Sequence, residues 1–197
     1  MRNLLLLVCL SGFCFAGDIS TDRETFEKAF EQRKKDCDSG NVTSCDALGW
    51  VYYKGIAVKQ DYLKAFRYFE KACEGGEIMS CTWVGFRYYN GEGVRQDYSK
   101  ALEYFTKGCD GGYATSCSYV GSAYYSGEGV KKDYFKAFEY YKKACDGGDA
   151  WSCGVIGYLY EYGEGVKKDT NKALEFYSKT CEMKEQLGCE SYERLKK

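Results

Sequence analysis

Apolar and small residues recur on fixed lines every 36 residues. Leu48, Val84, Val120 and Ile156 form one line; Gly49, Gly85, Gly121 and Gly157 lie beside it, and Tyr52, Tyr88, Tyr124 and Tyr160 follow three positions on. Offsets of three and four mark one face of an α-helix, called helix A here. A second segment, helix B, repeats Lys64-Ala65-Phe66 with Phe69 and Ala72, then Lys100-Ala101-Leu102 with Phe105 and Gly108. Its positions 65, 69 and 72 share one stripe.

Between A and B stands G-x-[GA]-V, as in Gly91-Glu92-Gly93-Val94, followed by a recurring acid at Asp61, Asp97, Asp133 and Asp169. Glycine gives a turn its backbone freedom, and Asp caps a helix start by accepting its orphan amides. These G-x-G segments are turns and not dinucleotide fingerprints, because the third glycine position after Gly91-x-Gly93 holds Gln96. Helix B closes at Gly75-Gly76, Gly111-Gly112 or Gly147-Gly148, where a left-handed residue ends a helix. Glycines 85, 121 and 157 cost roughly 1 kcal/mol each inside a helix, which predicts close helix-helix approach as compensation.

A period of this size predicts a solenoid whose units touch only their neighbours. The expected division is one solenoid over 17–197, with repeats at 41–76, 77–112, 113–148 and 149–184. A lone helix B at 21–37, with Thr21-Asp22-Arg23-Glu24 as a capping box, and a lone helix A at 185–195 close the ends, making ten helices in all.

Cysteine spacing sharpens this picture. Cys37/Cys45, Cys73/Cys81, Cys109/Cys117, Cys145/Cys153 and Cys181/Cys189 are each C-x7-C, and successive pairs start 36 residues apart. Each pair spans the turn from helix B to the next helix A, a geometry that suits a disulfide, and the fivefold repetition selects local pairing. A loop of this size contributes on the order of 2.5 kcal/mol in the chain-entropy model. Zinc is disfavoured, since C-x7-C lacks the usual knuckle spacing.

Composition then removes chemistries. The chain has no His and no Pro, so no Ser-His or Cys-His nucleophile and no imidazole metal ligand is available. No metal or other cofactor is expected. Lys plus Arg is 28 against 29 acids, and no nucleic acid or membrane partner is expected from that balance. Arg2, the apolar run Leu4–Phe15 and Ala16 read as an export signal over residues 1–16. Its removal takes Arg2 and leaves 27 cations against 29 acids, a formal charge of −2. The expected location is secreted or periplasmic, which agrees with disulfide pairing.

The quoted residues, Leu48-Gly49-x-x-Tyr52, Gly91-x-Gly93-Val94-x-x-Asp97, Lys100-Ala101 and the 36-residue C-x7-C period, resemble the Sel1-like repeat family, relatives of tetratricopeptide repeats. Among these the chain most closely resembles the secreted cysteine-rich proteins of Helicobacter. The resemblance implies an all-α, right-handed α/α solenoid of disulfide-stapled helix pairs. It also implies two functions of different class: a scaffold for protein-protein contacts, or slow hydrolysis of penicillin-type β-lactams, with a β-lactam or peptidoglycan-like small molecule as ligand. No serine here has Lys three residues later, so the usual Ser-x-x-Lys lactamase nucleophile is missing and no catalytic residue can be assigned. Ser44, Ser80, Ser116 and Ser152, each just before a Cys, are expected to bond local backbone in the first turn of helix A.

The informative columns are those that do not repeat. Positions 43, 47, 50 and 54 form a helix-A stripe opposite the repeating one, and their occupants differ from unit to unit. The candidate groove is Trp50, Lys54, Met79, Trp83, Phe86, Asn90, Tyr119, Trp151, Tyr158 and Tyr162, which includes all three tryptophans. In tetratricopeptide-like stacks helix A lines the concave surface, so this stripe is placed to hold an extended peptide or a partner's helix. Packing of the same tryptophans against an adjoining unit is the other reading.

Overall fold

The computed structural model describes residues 19–197, with side chains from Arg23 onward. The expected export signal over 1–16 lies outside the described residues, as do the Thr21 and Asp22 side chains of the expected capping box.

Ten helices follow one another: α1 (Ile19–Asp38), α2 (Val42–Lys54), α3 (Tyr62–Glu74), α4 (Ile78–Asn90), α5 (Tyr98–Asp110), α6 (Ala114–Ser126), α7 (Tyr134–Asp146), α8 (Ala150–Tyr162), α9 (Thr170–Glu182) and α10 (Gln186–Leu195). No strand occurs among the described residues. Each helix packs mainly on its neighbours in sequence, as a stack of units requires. The even-numbered helices are helix A and the odd-numbered ones helix B. Helix α1 begins at Ile19, two residues before the expected start.

Local chemistry sets most of the boundaries. Asp61, Asp97, Asp133 and Asp169 accept the amides of Lys64, Lys100, Lys136 and Lys172 at 2.9–3.0 Å, starting the B helices. Gly55, Gly91, Gly127 and Gly163 are left-handed and end the A helices. At the B-to-A turn the two glycines do different jobs. Gly76, Gly112 and Gly148 take the left-handed conformation, whereas Gly75 stays right-handed and leaves room for the next helix, since a Cβ there would lie 2.1 Å from Val42. The last such turn uses Met183 and a left-handed Lys184 instead.

The core between the two helix sets consists of four buried clusters linked by the partly buried rings of Phe30, Tyr68, Tyr88 and Tyr124. Leu48, Val84, Val120 and Ile156 are fully buried, as are Ala65, Phe69 and Ala72. The helix-A glycines are sites of direct contact with helix B: a Cβ on Gly49, Gly85, Gly121 or Gly157 would lie 2.6–2.8 Å from the ring of Phe69, Phe105, Tyr141 or Tyr177. Five disulfides, Cys37–Cys45, Cys73–Cys81, Cys109–Cys117, Cys145–Cys153 and Cys181–Cys189, tie each helix B to the following helix A, with Cα atoms 4.5–4.8 Å apart.

Candidate functional site: the face of the even-numbered helices

The four recurring serines are buried in the first turns of the A helices, and the hydroxyls of Ser80, Ser116 and Ser152 reach across units, which corrects the expectation that these three bond local backbone. Ser80 Oγ donates to Asp46 Oδ1 at 2.6 Å, Ser116 Oγ lies 2.5 Å from Thr82 Oγ1, and Ser152 Oγ donates to Ser118 Oγ at 3.0 Å. Burial holds the Asp46 carboxyl above its ordinary range. The ladder stops at the last unit, where Gly154 and Gly188 replace its two members and Thr180 takes the helix-B place held by Ala72, Gly108 and Ala144. A Cβ on Gly188 would lie 2.5 Å from Thr180, so the larger side chain fills the room that the glycine leaves.

The non-repeating stripe behaves differently at its two ends. From α2 to α6 its rings pack on one another: Trp50 and Trp83 are 4.6 Å apart, Trp83 and Phe86 5.4 Å, and Phe86 and Tyr119 4.7 Å, all between centroids. Phe69 and Phe105 support them from helix B, and the Trp83 indole nitrogen is buried. Lys54 lies over the Trp50 and Tyr53 rings, while Met79 and Asn90 stand exposed at the two ends of α4.

Beyond Tyr119 the run of rings is interrupted by Ser122, which occupies the place of Trp50, Phe86 and Tyr158. Here a cleft of ≈ 380 Å³ opens, lined by residues of α6 to α10. Its floor is Tyr141, Tyr177 and Thr180, and its walls are Tyr125, Trp151, Val155, Tyr158 and Leu187. Trp151 is 49% exposed, Tyr158 38%, Tyr162 55% and Leu187 64%. The cleft thus owes its space to small residues: Ser122, Gly154 and Gly188, in columns that carry bulkier groups elsewhere, and Ser191, in the column of Trp83, Tyr119 and Val155.

The phenols around it are already engaged. Tyr125 donates to Glu164 at 2.9 Å and Tyr177 to the buried Glu161 at 2.8 Å. Desolvation pushes the Tyr141 hydroxyl up to about 12, partly offset by its hydrogen bond with Ser122, and raises Tyr125 and Tyr177 as well. Glu161 stands where the other units carry Tyr53, Tyr89 and Tyr125. It accepts both Nη groups of Arg194 at 2.7 and 2.8 Å, and those bonds hold its carboxyl below the usual range.

Thus the structure brings Trp50, Trp83, Phe86 and Tyr119 together as a packed ladder, and Trp151 and Tyr158 at the cleft with Tyr162 beside Tyr158. Sequence reasoning missed Leu187, Glu185 and Ser191. Leu187 sits one period after Trp151, and continuing that column into the last helix was the signal that would have found it. Among the described residues all cysteines are oxidised, no cluster of His, Cys, Asp and Glu forms a metal site, and no helix is long and apolar enough to cross a membrane.

Residues 42–77, 78–113, 114–149 and 153–184 each match the Sel1 repeat model. The chain belongs to the Sel1 repeat family. Among solved structures it is similar to a protective antigen of uropathogenic Escherichia coli displaying an SLR fold, at TM-score 0.79 and 31% identity over 81% of this chain and 34% of that one. A Sel1 repeat protein from Oxalobacter formigenes follows at TM-score 0.71 and 26% identity, covering 82% of this chain and 69% of that one. Helicobacter pylori cysteine rich protein B gives TM-score 0.52 and 29% identity over 72% of this chain and 99% of that one. The chain spans about a third of the length of the E. coli protein it matches. Among curated proteins no sequence matches it.

Proposed function

We propose that this Sel1 repeat chain is an exported, disulfide-stapled scaffold that binds a protein partner on the concave face of its A helices, at the cleft between α6 and α10. One observation carries the reading: Trp151, Tyr158 and Leu187 stay exposed together around an apolar cleft, with the exposed Tyr162 ring beside Tyr158, whereas Trp50 and Phe86, which hold the Tyr158 place in earlier units, pack on neighbouring rings. An exposed cluster of Trp, Tyr and Leu over a pocket is the composition of an interface centre, where aromatic anchors supply most of the binding energy. Five disulfides support an oxidising compartment, extracellular or periplasmic.

The test is co-purification from the secreted fraction with wild-type protein, a Trp151→Ala/Tyr158→Ala variant and Trp50→Ala. The cleft variant should lose the partner with an unchanged melting curve, whereas Trp50→Ala should melt earlier. Retention of the partner by the cleft variant would remove the proposal.

Slow β-lactam hydrolysis rests on the resemblance to the cysteine-rich Helicobacter proteins. The recurring serines offer it no accessible nucleophile, since all four are buried and three of them are bonded to a neighbouring unit. A chromogenic cephalosporin should therefore show no turnover above buffer. Turnover that follows the protein through purification would reverse the preference.

A further inference from the structure

The cleft has an electrostatic character that its shape alone does not convey. Glu185 contributes the one formal charge among its lining residues, and no lysine or arginine faces it. That carboxylate opens α10 yet accepts no amide at the helix start, unlike Asp61, Asp97, Asp133, Asp149 and Asp169, whose oxygens are spent on capping. The neighbouring cation does not compensate. Arg194, one turn beyond Ser191, has both terminal nitrogens bound to Glu161. Glu164 accepts from Tyr125 and adds a second carboxylate near the wall. The remaining lining is Trp151, the rings of Tyr125, Tyr141, Tyr158 and Tyr177, Val155 and Leu187.

Aromatic faces are negative at their centres and attract cations, more strongly where water is excluded. A carboxylate at the rim adds a Coulomb term of the same sign. Both disfavour an anion, and the apolar walls disfavour a fully hydrated ion of either sign.

We propose that the cleft is selective for an apolar group carrying a positive charge, and that its occupant is a segment of a partner protein presenting an aromatic or long aliphatic side chain next to a lysine or arginine. This rests on the concave-face reading above and adds the chemistry of the ligand. The apolar side chain fills the space left by Ser122, Gly154, Gly188 and Ser191, while the cation sits over Trp151 and Tyr158 within reach of Glu185.

Three probes of like shape test it on the intact oxidised protein: 3-phenylpropylammonium, 3-phenyl-1-propanol and 4-phenylbutyrate. Trp151 emission is the reporter, isolated in a Trp50→Phe/Trp83→Phe background whose melting curve and disulfides are checked first; tyrosine chemical shifts in the wild-type protein give the same readout without substitution. The ammonium should bind about fivefold tighter than the alcohol, with the carboxylate weakest. Glu185→Gln should shrink the ammonium preference while leaving the alcohol unchanged, and added salt should act in the same direction. Equal binding of the three, or preference for the carboxylate, would overturn the charge selectivity and leave the concave-face reading standing. No binding by any probe would overturn both.

Discussion

A single glycine column decides how closely the two helix layers approach. Adding a methyl group at Gly121 would bring it 2.8 Å from the Tyr141 ring, which is almost fully buried. Gly121→Ala is therefore expected to lower stability by about 1–3 kcal/mol despite its better helix propensity. Gly154, in the next A helix, would place the same methyl 3.4 Å from Thr180, an ordinary contact. Gly154→Ala should raise stability by about 0.5–1 kcal/mol, and urea denaturation of the two variants checks the opposite signs. The need for small residues at 85, 121 and 157 was legible in the sequence because helix interiors rarely carry unbroken glycine columns. The cross-unit bonding of Ser80, Ser116 and Ser152 was not. Each partner lies 34 residues away, and their meeting depends on the register between stacked helices, which no local pattern encodes.

At the scale of the helix, the last element is held by a different interaction from the rest. Helix α10 is tied to α9 by the Cys181–Cys189 disulfide and to α8 by Arg194 reaching Glu161. The Glu161 carboxyl is held below its ordinary value of about 4.3, first by those Arg194 bonds. A carboxylate with a lowered folded-state pKa stabilises above the unfolded value and loses that contribution as pH falls through the folded one. Arg194→Ala should accordingly cost about 1–3 kcal/mol at pH 7, because it leaves a buried carboxylate with the Tyr177 and Tyr162 hydroxyls as its donors and no cation. The gap between variant and wild type should narrow as the medium is acidified, and it closes only once the pH has fallen through the lowered folded-state value of Glu161 in the wild type. Thermal melts at pH 7 and pH 3 read this directly; a gap of constant size would show that Arg194 acts through packing alone. The ends of the helices were readable from Asp and Gly placement, since capping is local chemistry. Glu161 stood out only as a break in the Tyr53, Tyr89, Tyr125 column, and its partner belongs to another unit.

Across the whole molecule, one stripe serves two purposes. Its N-terminal half is a ladder of rings from Trp50 to Tyr119 that stiffens the stack, and its C-terminal half is an open cleft. The sequence marked the stripe as non-repeating but could not divide it. Whether a ring is covered depends on the size of its neighbour in the adjoining unit, and the change from Phe86 to Ser122 leaves the covering ring missing. Glu193 stands in the glycine column, where each earlier member meets a ring of the following helix B.

The three tryptophans allow the division of the stripe to be measured in a single experiment. Covalent indole footprinting of the oxidised protein, read by peptide mass spectrometry, should modify Trp151 several times faster than the half-buried Trp50 and Trp83, a difference that vanishes when the protein is unfolded. Equal modification of all three in the folded state, or protection of Trp151, would contradict the account.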